Sequence, residues 1–201
     1  MIKSLTTIAG RLARGAGRLT GLQARRFKDD KSGIAAVELA FIFPVMLVLY
    51  FGLVDVTNLL SANRRVTLTS STIADLVTQS SGTVTEADLQ GFFNAASPIM
   101  DPLDSTSMGL ELFSYELDPS DNPQMLWEKR NSGGITCGAT PVATSEMITL
   151  MQAGTGLVLA RTCYTWTPMS GYVLGSLPVT VSDEMVLRPR QSSSVECTDC
   201  P

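Results

Sequence analysis

The longest apolar pattern in the chain runs from Ile34 to Val54 and reads IAAVELAFIFPVMLVLYFGLV. These 21 residues carry one charge, Glu38, and none from Leu39 onward. At 1.5 Å rise per residue they form a helix of about 32 Å, the thickness of a bilayer hydrocarbon core. A buried helix of a soluble core is the competing reading, but such a helix keeps polar residues on its outer face. Beyond the run, Val56, Leu59, Asn63, Val66, Ser70, Ile73 and Val77 recur at spacings of three and four. That is one helical face, apolar at five of seven positions, and it predicts that the helix continues through about Gln79. Residues 34–79 then make one helix of about 70 Å. Arg64, Arg65 and Asp75 fall on its other faces. The stripe suits either the cover of a globular core or packing against partner helices, and the spacing serves both.

After Ser80-Ser-Gly-Thr-Val84 the pattern changes to short elements. Thr85-Glu-Ala-Asp88 has the form of a capping box, with Val84 and Leu89 placed as a hydrophobic staple, so a short helix is expected over 86–97. PIMDPLDSTS reads as a loop. Residues 110–117 (LELFSYEL) alternate as a strand with Phe113, Tyr115 and Leu117 on one face, and 124–130 follow as a second strand. A turn is expected over 131–134, a short helix over 145–152, and strands over 156–166 and 179–187. A long helix followed by strands predicts an α+β fold, with the membrane-spanning helix extended outside the membrane and packed on a small antiparallel sheet. The expected organisation is a basic leader (1–33), a transmembrane helix (34–54), its extracytoplasmic continuation (55–80) and an α+β body (81–201).

Charge adds an orientation. Residues 1–33 hold eight basic and two acidic residues, a net of +6, and the remaining 168 hold seven basic and 17 acidic, a net of −10. The positive-inside rule places residues 1–33 in the cytoplasm and residues 55 onward outside the cytoplasmic membrane. A cleaved secretory signal is a poor alternative: the apolar run is too long and no A-x-A site follows it. Small residues instead precede the run, in Lys31-Ser-Gly33-Ile34-Ala-Ala36, which puts any cleavage on the cytoplasmic side. An acidic body is unsuited to nucleic acid, whose phosphates require positive potential. The chain has no histidine, which removes histidine triads, histidine metal sites and histidine general bases.

The stretch RRFKDDKSGIAAVELAFIFPVMLVLYFGLVDV resembles the N-terminus of the TadE-like family, minor pilins or pseudopilins of the bacterial tight-adherence (Tad/Flp) pilus system. The residues that carry the resemblance are Gly33, Val37, Glu38, Phe41, Pro44, Gly52 and Asp55. Tyr164-Thr-Trp-Thr-Pro168 and Met185-Val-Leu-Arg188-Pro189-Arg190 resemble the aromatic-x-aromatic-x-Pro strand and the Arg-Pro-Arg ending of alphaproteobacterial members. The resemblance implies processing by a prepilin peptidase after Gly33, which makes Ile34 the new N-terminus and Glu38 the fifth mature residue. Its partners would be that peptidase, other Tad pilins, inner-membrane assembly proteins and membrane lipid, with no nucleic acid and no small-molecule substrate. Major Flp pilins follow the glutamate with Tyr, whereas this chain has Leu39, which favours a minor subunit. An unprocessed single-pass anchor carrying a periplasmic scaffold or binding body is the alternative.

Three residues of the run acquire roles on this reading. Gly33 lacks a Cβ, so extended backbone there can enter a protease cleft; a hinge between leader and membrane would use the same freedom. Glu38 lies shallow in the run, where a charged carboxylate costs about 3 kcal/mol. It is expected either to sit at the cytoplasmic interface or to pair with an α-amino group freed at Ile34, in its own or a neighbouring subunit. Pro44 removes one backbone donor and is expected to kink the helix.

Cys137, Cys163, Cys197 and Cys200 all fall on the oxidising side and are expected to form structural disulfides, with three pairings open. A zinc site or a redox pair built on Cys197-Thr-Asp-Cys200 lacks the usual flanking pattern. Glu111, Glu116, Asp183 and Glu184 can supply a carboxylate pair but read as solvated surface acids, and Asp118-Pro-Ser-Asp121-Asn122 reads as a turn rather than a calcium loop. No metal or cofactor is expected, and no enzyme.

Overall fold

The computed structural model describes residues 32–151, 154–171 and 175–200. The leader expected over 1–33 lies outside these, apart from its last two residues. The chain divides into two compact units, residues 1–50 and 51–201.

Helix α1 (Ser32–Thr78) is continuous through Pro44. Every residue from Gly33 to Phe51 is exposed, and the helix is long and apolar enough to cross a membrane. A soluble core helix would have buried this stretch. From Gly52 onward the helix has a buried face. Asp55, Ala62, Val66, Thr69, Ser70, Ile73, Ala74, Val77 and Thr78 are buried. The expected stripe is borne out at Val66, Ser70, Ile73 and Val77 and corrected at its N-terminal end: Val56 and Asn63 are exposed, and Asp55 and Ala62 take the inward places. Ala62 is small enough for close approach, and Asp55 faces inward because it has partners there.

Strand β1 (Thr83–Val84) leads into α2 (Glu86–Met100), whose capping box is complete. Thr85 Oγ1 accepts from Asp88 N–H, and Asp88 Oδ2 accepts from Thr85 N–H at 2.9 Å. Val84 and Leu89 lie in the same buried cluster, as the staple requires. The helix runs three residues past the expected 97 and carries Pro98 within its last turn. The strands are β2 (Met108–Leu117), β3 (Pro123–Arg130), β4 (Leu157–Trp166) and β5 (Val179–Leu187), with α3 (Ser145–Leu150) between β3 and β4. They form one antiparallel sheet in the order β3-β2-β4-β5.

Both faces of this sheet are buried at its centre. Met108, Leu110 and Leu112 of β2, with Val158, Ala160, Tyr164 and Trp166 of β4, pack with the buried faces of α1 and α2. Phe113, Tyr115 and Leu117, with Leu157 and Leu159, form a second cluster under Met147 and Met151 of the α3 segment. An element absent from the sequence reading is β6 (Glu196–Cys197), which pairs in parallel with β1. Ser114 Oγ and Trp127 Nε1 both donate to the Val195 carbonyl, at 2.9 and 2.8 Å. Arg190 N–H donates to the Thr78 carbonyl, satisfying one of the orphan acceptors that end α1. Two-residue strands held by contacts more than a hundred positions apart leave no local pattern.

Candidate functional site

Gly33, Ile34, Glu38 and Pro44 all lie on α1, and all four are exposed. The described helix includes Ser32 onward, so the Gly33–Ile34 bond lies in helical rather than extended chain. A Cβ at Gly33 would meet nothing within 4 Å, so folding of this chain sets no steric demand for glycine there. Glu38 follows Ile34 by four residues and therefore shares its helical face.

The two motifs that carry the family resemblance meet on the second unit. Gly52-Leu-Val-Asp55 ends the apolar run, and Asp55 is buried on the inward face of α1. Tyr164 and Trp166 alternate onto the helix-facing side of β4, and Pro168 then turns the chain toward Asp55. Asp55 Oδ1 accepts from Met169 N–H at 3.1 Å, and Oδ2 accepts from Ser170 N–H at 3.4 Å and from the Ser170 hydroxyl. The sequence singled out Asp55 as a motif residue without a role. Its role is to hold the loop that follows β4 against the helix. Beside this latch lies a cavity of about 410 Å³ lined by Asn58, Arg65, Asp104, Tyr164 and Trp166 among others. Arg65 Nη1 reaches the Ile99 carbonyl at 3.0 Å. Burial raises the Tyr164 hydroxyl pKa, so that group stays a neutral donor.

A charged row crosses all four strands. Arg130, Glu111, Arg161 and Glu184 are cross-strand neighbours on β3, β2, β4 and β5. The expectation that Glu111 is a solvated acid is corrected: its side chain is 1% exposed and lies 3.5 Å from both Arg161 Nη1 and Arg130 Nε. Its Oε1 also accepts from Cys137 N–H. Arg161 further donates to Glu184 at 2.6 Å and to the Ala139 carbonyl at 2.7 Å. The alternation of sign across the sheet neutralises the row, and its hydrogen bonds fasten the 137–139 segment. Nothing in local spacing announced it, because the four residues come from four separate strands.

Cys137 and Cys163 form one disulfide, with Cα atoms 5.4 Å apart, and Cys197 and Cys200 form the other. Gly109 lies opposite Cys163 in the β2–β4 ladder. A Cβ there would collide with the Ile135 carbonyl oxygen and stand 2.8 and 2.9 Å from the two sulfurs. The bridge thus crosses β2 over a residue that has no side chain. Asp199, between the second pair, accepts from Glu86 N–H at 2.6 Å and so adds a carboxylate to the N-terminus of α2. In the 118–122 turn, Asp118 Oδ1 accepts from Ser120 and Asn122 N–H at 2.7 and 2.8 Å. These bonds lower its pKa, and they satisfy the carboxylate within the turn.

No curated protein and no solved structure matches this chain. A family model does: residues 33–75 match TadE-like protein, from Gly33 on α1 through most of the face that packs on the sheet. That is the family which the N-terminal motif resembles, and it points to a membrane-anchored component associated with the Tad pilus. Over residues 33–75 this chain is similar to the TadE-like family.

Proposed function

We propose that this protein is a minor pilin or pseudopilin that takes part in assembling Tad/Flp pili, and hence in surface adhesion and colonisation. In this reading the chain is inserted in the bacterial inner membrane as a single pass. Residues 1–33 face the cytoplasm and the body faces the periplasm, a reading supported by the eight basic residues of the leader. A prepilin peptidase cleaves after Gly33, and the mature subunit begins at Ile34. Its work is noncovalent: α1 packs among the helices of neighbouring pilins, Glu38 pairs with a freed α-amino group, and the body presents a surface to other assembly proteins.

The observation that carries this reading is the family match over residues 33–75. It begins at Gly33, the residue next to the proposed cleavage, and continues through an apolar helix that is exposed from Gly33 to Phe51. The second reading, an unprocessed anchored scaffold, shares the anchor and the body but not the cleavage. N-terminal mass spectrometry of protein from cells with and without the prepilin peptidase separates the two. The first reading expects a chain starting at Ile34 only when the peptidase is present. An N-terminus upstream of Gly33 in both strains would leave the scaffold reading in its place.

A further inference from the structure

The chain carries no charged residue from Thr162 to Ser182, a span of 21 residues. The loops at 101–107 and 118–122 are by contrast acidic, with Asp101, Asp104, Asp118 and Asp121. The span contains the ends of β4 and β5, where Trp166 pairs with Val179, so Met169 and Leu177 leave the sheet at the same end. The two flanks approach each other there: a Cβ on Gly171 would lie 3.3 Å from Ser176 Cβ. Met169 and Leu177 are 83% and 78% exposed. Water is a poor medium for two such side chains in an uncharged setting.

The position of this end relative to a membrane follows from Asp55. It is the residue immediately after the apolar run 34–54, whose length of about 32 Å matches the hydrocarbon core. Asp55 therefore falls in the interfacial layer. Met169 N–H lies 3.1 Å from its carboxylate, and Ser170 is bound to the same group. The latch thus holds Met169 at the depth where α1 emerges.

We propose that Met169 and Leu177 form a second membrane contact, lying in the interfacial layer of the bilayer beside the exit of α1. The lipid is the occupant because the two exposed side chains are apolar and adjoin, through Asp55, the end of the apolar run. The contact gives the body two points on the membrane instead of one, which restricts its tilt about the helix axis before assembly. It rests on the reading of residues 34–54 as the membrane span.

The test uses the full chain reconstituted in phosphatidylcholine and phosphatidylglycerol vesicles whose acyl chains are brominated close to the headgroup. Tryptophan is added singly as Met169→Trp, Leu177→Trp, Tyr50→Trp and Val142→Trp, and emission is read against the unsubstituted chain. Val142 is as exposed as Met169 but lies at the other end of β4: its neighbour Pro141 accepts from the Tyr115 hydroxyl, and Tyr115 pairs with Leu157. The expected result is that the added emission at 169, 177 and 50 falls about twofold and shifts to the blue, while that at 142 is unchanged. Quenching at 50 with none at 169 and 177 would overturn the proposal and leave the membrane span standing. A blue shift at 169 and 177 without quenching would also overturn it, and would assign the surface to a second protein. Absence of quenching at position 50 would remove the span itself, and the proposal with it.

Discussion

Replacing Arg161 by Met tests whether the charged row is a structural requirement of the sheet. The substitution removes the guanidinium but keeps an unbranched apolar chain of similar length. Two ion pairs are lost, and they do not count equally. The contact with Glu184 is the shorter, at 2.6 Å, but that carboxylate is 47% exposed, so solvent screening reduces it to about 1 kcal/mol or less. The contact with Glu111 is longer, at 3.5 Å, yet the two side chains are 10% and 1% exposed. At an effective dielectric near 20 the Coulomb attraction at that distance is about 5 kcal/mol before desolvation is counted. Removing one partner of such a pair costs about 3–5 kcal/mol, because the other charge stays buried. Glu111 keeps Arg130 Nε at 3.5 Å and Cys137 N–H at 3.1 Å, which places the expected loss near the low end, about 3 kcal/mol. Urea unfolding of the full chain in mild detergent measures it, followed by the emission of the buried Trp127 and Trp166. Arg161→Met combined with Glu111→Gln should recover part of the loss, with a coupling of about 2 kcal/mol. A loss below about 1 kcal/mol for the single variant, or simple additivity of the two, would refute the reasoning.

The other predictions concern the disulfide, the cap and the membrane helix. Gly109→Ala forces a methyl group against the Ile135 carbonyl and both sulfurs, so Cys137–Cys163 should form poorly; non-reducing peptide mapping should show free thiols, with a stability loss of about 3 kcal/mol. Thr85→Ala should cost about 1 kcal/mol through loss of the α2 cap, read by urea unfolding. The Asp88 pKa is lowered first by the Thr85 hydroxyl and then by the Thr85 N–H. A carboxyl with its folded pKa depressed contributes stability above its unfolded pKa and loses it as pH falls through the folded one. Asp104 and Asp118 are lowered likewise by hydrogen bonds to Thr106 and Asn122, so stability should decline below about pH 4. Thr85→Ala should flatten that decline, and an unchanged acid profile would contradict the assignment. Glu38→Ala should leave the protein at normal abundance while cutting its incorporation into pilus complexes about tenfold, measured by quantitative co-purification; unchanged incorporation would remove the pairing role.

The amino-acid sequence by itself determined the elements whose signals are local. Twenty-one residues with a single charge specify a helix that has no place in a soluble core. Thr85 and Asp88 mark the start of α2 because a cap is a contact between residues three apart. Val179–Leu187 and its neighbours are legible as strands because alternation repeats every two residues. The tertiary structure decided everything that depends on which strands become neighbours. The order β3-β2-β4-β5 puts Glu111 beside Arg161, turning an acid that reads as solvated into a buried ion pair. The same register sets Gly109 under the Cys137–Cys163 bridge and so selects one of three pairings. Asp55 turned inward against the apolar count, because the N–H groups of Met169 and Ser170, 114 and 115 residues away, satisfy it there. Burying a carboxylate is costly unless its hydrogen bonds are supplied, and only the folded chain brings those donors to it.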